Sequence, residues 1–566
     1  MNSAEGVVEN EELRSDLSKR HLTMISMGGT IGAGFFVGLS GLIVVAGPAA
    51  IVTTAVAGII VYLVMRMLGE MAVAKPSTGS FVDYARMAFG RWAGFSTGWL
   101  YWYFWVIVVG IEAVVGGELI ARWVPGIPQW ITAVVILSAM IAVNLLSVKS
   151  FGEAEYWFAG IKVVVIVAFI IAGFAFLAGL WSGNVGDAAQ VSNLWDHGGF
   201  VPNGVSAIFV GVVTVIFSMT GAELVTIAAA ESSHPADAIR RTTQTVVVRI
   251  LAFFVISTAL LVSILPWTSY EAGVSPFITA LDAMGVPYTA DILNFIVLVA
   301  VLSCLNSGLY TASRMIFTQG RNGDAPAWMT RVNERGVPTG GIFFSSIVGF
   351  ICIAAGYVWP DTIFIYLVNS SGAVVLFVYV FIGLSQIKLR PRFERELAGA
   401  GGLTFKMFGW PVIPALVTGL IVVILVTMGI REATRGEFLQ SMASLVVVII
   451  LGIFLQKTGI KGRYEGLPTT LPQGVDEDDY SPGRVYETPE HFGEWPHFGD
   501  LSELGDRIHL GPRPRWVRRD GKGGAERGGH GVNDEGHLRP GHIGPKEART
   551  EAVGSKSANA EAANAE

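Results

Sequence analysis

Apolar residues in this chain gather in runs of about twenty, longer than a buried strand needs and without the polar stripe of an amphipathic surface helix. Runs such as "VVVIVAFIIAGFAFLAGLW", "ILAFFVISTALLVSILPW" and "LVVVIILGIFLQ" reach or approach the length that crosses ~30 Å of hydrocarbon at ~1.5 Å per residue. Windows of that length predict twelve spans, at 22–42, 48–71, 94–120, 128–148, 156–180, 204–230, 247–266, 290–318, 340–358, 361–386, 409–429 and 438–456. After Lys457 the pattern stops. Residues 459–566 hold Pro, Gly and charge with no apolar run, so they read as a polar, disordered tail behind a twelve-helix domain at 21–458, and residues 1–20 read as a short polar lead.

Composition fits a polytopic membrane protein: of 566 residues, 52% are hydrophobic and 15% charged, too few charges to cover a soluble protein of this size. The first twenty residues lack the apolar centre of a cleavable signal. Alternate connections are basic, with Lys75, Arg86 and Arg91, then Lys149, then Arg240 and Arg241, then Arg321, Arg331 and Arg335, then Lys388, Arg390, Arg392, Arg395 and Lys406. The loops 181–203 and 267–289 contain no Lys or Arg, which leaves Arg122, Arg431 and Arg435 on that side. The positive-inside rule therefore predicts both termini in the cytoplasm and a multi-pass protein of the cytoplasmic membrane. The tail holds 19 acidic and 14 basic residues, so the net charge of −6 is mostly its own and says nothing about a substrate. Six of nine His also lie there, without the pair spacing of a zinc site, and neither Cys304 nor Cys352 suggests a disulfide or a metal. No metal or cofactor and no nucleic-acid partner is expected.

One span weakens itself. "MISMGGTIGAGFFVGLSG" places Gly28, Gly29, Gly32, Gly34, Gly38 and Gly41 in the first crossing. Small residues let helices approach closely, which is one reading. The other is an interruption, since the backbone of "GTIGAG" can leave helical geometry at little steric cost. A comparable stretch, "FSMTGAEL", sits in the sixth span, and spans one and six open two five-span halves. Paired interruptions in corresponding positions predict an inverted 5+5 repeat with a site at the membrane midplane. A helix broken there exposes N–H groups that suit an anion and carbonyls that suit a cation. An amino acid carries both charges.

Ionisable residues inside spans are costly and need a reason, at ~2.5–3.5 kcal/mol each on insertion scales. Glu112, Lys162 and Glu223 stand out, with Glu118 near an outer end, while Glu70, Glu231 and Arg314 lie close enough to span ends for structural salt bridges. A functional reading of the charges inside spans therefore falls on Glu112, Lys162 and Glu223, and no histidine lies mid-membrane beside them. Two plainer readings stand beside this: Glu223 accepts N–H groups freed by the sixth-span break, and the Lys162 ammonium reaches headgroups along its stem.

The stretches "GEMAVAKPSTGSF", "GRWAGFSTGWLYWYFWV", "NLLSVKSFGEAEYW", "GGFVPNG", "GAELVTIAAAESSHP" and "SCLNSGLYTASRM…GDAP" are long and ordered. With them the chain resembles, from about residue 15 to 395, the bacterial amino acid transporter family of the amino acid/polyamine/organocation superfamily, and within it the γ-aminobutyrate permeases. "GGTIGAGFF" is instead similar to the general amino acid permease form of the first break. The resemblance implies a LeuT-like fold with twelve transmembrane helices, and secondary import of an amino acid with protons, either γ-aminobutyrate or a broader set of α-amino acids. It implies that Thr30, Ile31, Gly32, Ala33 and Gly34 meet the substrate carboxylate, and that carbonyls near Phe217, Ser218 and Gly221 meet its amino group. Phe217 matches an aromatic gate, Cys304 a cysteine near the transport route, and Lys162 a lysine that in proton-coupled relatives replaces a sodium ion beside the first break, so the resemblance implies that Lys162 couples protons, with Glu112 and Glu223 as candidate partners. Core packing is the plain alternative for Phe217 and Cys304.

No "GxxxxGK[ST]" phosphate loop and no catalytic constellation is present, so neither a primary pump nor an enzyme is expected. Channel filters come from repeated loops around an axis, and no such repeat is visible. A nutrient sensor built on a transporter fold is the remaining alternative.

Overall fold

The computed structural model describes residues 17–181, 183–184, 191–232, 235–358, 371 and 373–458. The tail expected at 459–566 and most of the segment expected at 1–20 lie outside the described residues. Among them all regular secondary structure is helical, apart from one parallel bridge between Leu17 and Ser232. Ten stretches are long and apolar enough to cross a bilayer, and two further crossings, the first and the sixth, are assembled from short helices.

The first crossing is α1 (Lys19–Thr30), α2 (Ala33–Phe36) and α3 (Gly38–Ala46). Gly47, at φ +60°, takes the left-handed conformation that ends α3, and Pro48 supports the 3-10 turn into α4 (Ala50–Ala74). A short amphipathic helix, α5 (Phe81–Phe89), separates this from α6 (Arg91–Ala121), α7 (Gln129–Leu146) and α8 (Val148–Leu177). The sixth crossing is α9 (Val205–Ser218) followed by α10 (Leu224–Ala228). Then come α11 (Pro235–Ile264), the short α12 (Pro276–Ala283), α13 (Thr289–Arg321) and α14 (Thr339–Val358). Three helices complete the described chain: α15 (Val374–Glu396), α16 (Val412–Ile430) and α17 (Glu432–Thr458). The first half of the span expected at 361–386 falls outside the described residues.

The seventh crossing departs from expectation by starting at Pro235, twelve residues before the apolar window. The extension "PADAIRRTTQTV" is polar but helix-competent, with Pro at its first position and Asp237 in its first turn; hydropathy registers only the part that meets lipid. Helices α5 and α12 are too short for a crossing and escape the same window.

Burial sorts the helices. α13 is buried on nearly every face and packs most extensively against α6, so these two form the centre, whereas α17 shows Val447, Ile450 and Phe454 outward as a lipid-facing helix would. α8 is divided lengthwise. Val164, Ile171 and Phe174 face out, while Phe151, Glu155, Ala159, Lys162, Ile166 and Phe169 form a buried stripe at three- and four-residue spacing that includes both of its inward charges. Polar ties close the two ends. Arg86 and Arg91 converge on Asp324, Glu70 accepts from Gln386 and Arg390, and Arg314 pairs with Glu231 at 2.9 Å with both side chains 2% exposed. At the opposite end Phe277 of α12 packs on Phe35 and Phe36, and Ser275 Oγ donates to the Phe36 carbonyl at 2.7 Å.

Candidate functional site

The first crossing breaks between Thr30 and Ala33. Ile31 (φ −94°, ψ 83°) leaves helical geometry, Gly32 is extended (φ −110°, ψ −158°), and α2 restarts at Ala33. None of Gly28, Gly29, Gly32, Gly34, Gly38 and Gly41 has a positive φ, so the conformational freedom of glycine is not what most of them supply. Close approach is. A Cβ on Gly28 would stand 1.7 Å from Glu155 Oε1, one on Gly29 2.4 Å from Leu224 Cδ1, and one on Gly34 3.2 Å from Ser218 Cα. At Gly41 a Cβ would meet nothing within 4 Å.

The sixth crossing breaks over residues 219–223, between α9 and α10. Here glycine does supply conformation: Gly221 has φ +113°, and a Cβ on it would lie 2.6 Å from the Gly29 carbonyl oxygen and 3.0 Å from the Thr30 nitrogen. The two breaks therefore touch backbone to backbone. Ser26 Oγ, on α1, donates to the Ala222 carbonyl at 3.4 Å across the same contact.

Both breaks free backbone groups that a membrane interior cannot leave unpaired. At the first, the fully buried Lys162 ammonium donates to the Gly28 carbonyl at 2.6 Å, the Ile31 carbonyl at 2.8 Å and Ser303 Oγ at 2.8 Å. The cation thus caps the negative end of α1 and turns inward, away from headgroups. At the second, the Gly221 N–H reaches both oxygens of Glu223 at 3.2 Å, and the carboxylate also accepts from Tyr101 Oη at 2.8 Å and Tyr379 Oη at 3.2 Å. Glu223 braces the break from α6 and α15.

Glu112 approaches the first break from α6. It is buried, and Oε2 has no hydrogen-bond partner among the described residues. A Cβ on Gly32 would lie 3.3 Å from both Cys304 Sγ and Glu112 Oε1, so these three positions share one small space. The Thr30 hydroxyl closes on its own helix, donating to the Ser26 carbonyl at 2.7 Å, and Ser218 Oγ does likewise to Thr214 at 2.9 Å. Phe217 is half-buried and stands edge-on to Phe104, with ring centroids 5.8 Å apart. Of the residues singled out from sequence, Ile31, Gly32, Ala33, Gly34, Ser218, Gly221, Cys304, Glu112 and Lys162 converge at the two breaks, and Glu223 stands just behind the second. Sequence reading missed Ser303, which bonds Lys162, with Glu155 and Asn306 beyond it, and Tyr101 and Tyr379, which bond Glu223. The stripe of α8 carries the signal for Glu155, which lies seven residues from Lys162 and so on the same face.

The family model described as Amino acid permease matches residues 21–459, most of the chain. The chain belongs to that family. The permease is 44% identical over 461 residues to the gamma-aminobutyric acid permease of Bacillus subtilis (strain 168), covering 81% of this chain and 97% of that protein. It is 42% identical to the gamma-aminobutyric acid permease of Escherichia coli (strain K12), over 76% of this chain and 91% of that one. It is also 39% identical to the aromatic amino acid transport protein AroP of the same strain, over 80% and 98%. A solved manganese transporter of Eremococcus coleocola superposes with a TM-score of 0.49 at 13% identity, covering 80% of this chain and 98% of that one. The permease is thus a multi-pass plasma-membrane transporter of amino acids and not an enzyme.

In the permease, Gly32→Leu is expected to abolish amino acid uptake while the protein still inserts and purifies as a single species. Even a Cβ is tight against Glu112 and Cys304, and three more carbons would fill the space between the breaks at an overpacking cost of ~1–3 kcal/mol. Uptake assays beside size-exclusion profiles in detergent check this; wild-type uptake would remove the break from the transport site.

Proposed function

We propose that the permease imports γ-aminobutyrate together with protons, with both termini and the α5 end of the bundle in the cytoplasm, and with residues 21–458 as the transporting unit. The observation that carries this reading is the Lys162 ammonium seated on the freed carbonyls of the first break, a titratable cation bonded to the element that must move. The names of the relatives support the substrate.

The chemistry follows from what faces the breaks. A substrate carboxylate placed at the amides of Gly32, Ala33 and Gly34, beside Thr30 and Ile31, would lie against Glu112, and two like charges there repel. Substrate therefore enters with a protonated Glu112, which brings a proton into the cycle. The amino group then faces carbonyls around Phe217, Ser218 and Gly221, with Phe217 closing over it and Cys304 bounding the space. Loss of the Lys162 proton weakens its grip on Gly28 and Ile31 and frees α1 to shift against α8. Glu223 ties that shift to the sixth-span break it braces. The cycle is alternating exposure of one midplane site.

A second reading, transport of a broader set of α-amino acids, is favoured by the 39% identity to AroP. Competition decides between them. Against labelled γ-aminobutyrate in proteoliposomes, unlabelled ω-amino acids are expected to displace label at concentrations at least ~10-fold below those needed with phenylalanine or tyrosine. Stronger displacement by the aromatic α-amino acids would establish the second reading.

A further inference from the structure

The buried polar chain continues past Lys162. The Ser303 hydroxyl, which accepts from Lys162 Nζ at 2.8 Å, donates in turn to Glu155 Oε1. Glu155 is fully buried, and its other oxygen accepts from Asn306 Nδ2 at 3.1 Å, while Asn306 Oδ1 accepts from Asn144 Nδ2 at 2.9 Å. Gly28 makes the room, because any side chain there would overlap the Glu155 carboxylate. The two charges sit seven residues apart on α8, ~10 Å along its axis, with one hydroxyl between their heads. Glu155 is the one nearer the start of α8, the end at which Arg20 and His21 meet Glu153. Capping the first break needs only Lys162; Glu155 balances its charge, but the two meet through a hydroxyl that accepts from one and donates to the other rather than directly, which is the geometry of a proton path.

We infer that Glu155 is a relay station, receiving the Lys162 proton through the Ser303 hydroxyl and passing it toward the start of α8. This rests on the proton-symport reading and on the orientation proposed with it. The transfer balances without a co-reactant: one Nζ–H bond breaks as an Oγ–H bond forms, the original Ser303 O–H breaks as Oε1–H forms, and a neutral amine faces a neutral acid. Opening of the cytoplasmic end then lets Glu155 lose the proton to water. The ionisable groups around the relay are few. Lys162 lies on the same helix, Cys304 on α13 and Glu112 on α6 flank the lysine, and His21 on α1 is engaged with Glu153. α7 has no ionisable side chain, and Asp237, Arg240, Arg241 and Arg249 of α11 are exposed.

The test uses the full chain in proteoliposomes, comparing accumulation of labelled γ-aminobutyrate under an acid-outside gradient with exchange of γ-aminobutyrate at equal pH. In Ser303→Ala and Glu155→Gln the ratio of accumulation to exchange is expected to fall by at least ~10-fold, because only net symport has to release the proton. Ser303→Thr, which keeps the hydroxyl, is expected to restore most of that ratio. If Glu155→Gln cannot be recovered from membranes, the two Ser303 variants decide alone. A Ser303→Ala ratio within ~2-fold of wild type overturns the relay, as does a parallel loss of both activities that Thr fails to restore. Wild-type uptake that ignores the proton gradient overturns the symport reading itself, and the relay falls with it.

Discussion

Replacing Lys162 by Gln is expected to eliminate uphill accumulation, lowering gradient-driven uptake by ~100-fold or more. Three acceptors depend on one ammonium: the carbonyls of Gly28 and Ile31 and the Ser303 hydroxyl. A glutamine is shorter and neutral, so it cannot reach all three, and each buried carbonyl left unpaired costs ~1–3 kcal/mol. It also removes the cation that faces the Glu155 carboxylate across the Ser303 hydroxyl, and a buried charge left without its counter-charge is costly. The functional loss should exceed what misfolding alone would produce. Substrate binding or exchange, which needs no net proton movement, is therefore the comparison to make in the same vesicles. A Lys162→Gln protein that accumulates substrate and still responds to an uncoupler would reduce Lys162 to a structural cap and shift the coupling role to the carboxylates.

Gly221→Ala is expected to be nearly as damaging, although it adds one carbon. At φ +113° an L-residue is strained by ~1–3 kcal/mol, and the new methyl would lie 2.6 Å from the Gly29 carbonyl oxygen. That obstacle is backbone, so no rotamer change relieves it; the two broken helices must separate. Separation disturbs Lys162 and Glu223 together, since each is bonded to one of the touching breaks. Uptake should fall by ~10-fold or more, and the thermal midpoint in detergent should drop as well. Gly41→Ala is the matched control, since its Cβ enters open space at an ordinary φ, and it should behave as wild type. Equal behaviour of the two variants would mean that the breaks do not need to touch.

How far the sequence reveals these features depends on whether each signal is local. The crossings are legible because lipid imposes a run of apolar residues on each one, and the two breaks are legible because glycine interrupts those runs. Why glycine stands at Gly28, Gly29 and Gly34 is not legible, since the atoms it must admit belong to Glu155, Leu224 and Ser218 on other helices. Glu223 shows the same limit. That it sits beside freed N–H groups follows from "TGAEL", whereas its bonds to Tyr101 and Tyr379 join positions 122 and 156 residues away. Glu155 is a different case. Its place near the polar start of the fifth span makes it look interfacial, but the α8 stripe that buries Lys162 buries it too, and that spacing is present in the sequence. The polar start of α11 and the short α5 and α12 are hidden because hydropathy registers contact with lipid, not helix.

The most direct test is purified full-length protein in proteoliposomes, with labelled γ-aminobutyrate outside and a pH gradient acid outside as the only driving force. The expected result is accumulation above the external concentration, matched by proton entry on a pH indicator trapped inside and collapsed by an uncoupler. Uptake that stops at equal concentrations on both sides and is indifferent to the gradient would contradict proton-coupled import.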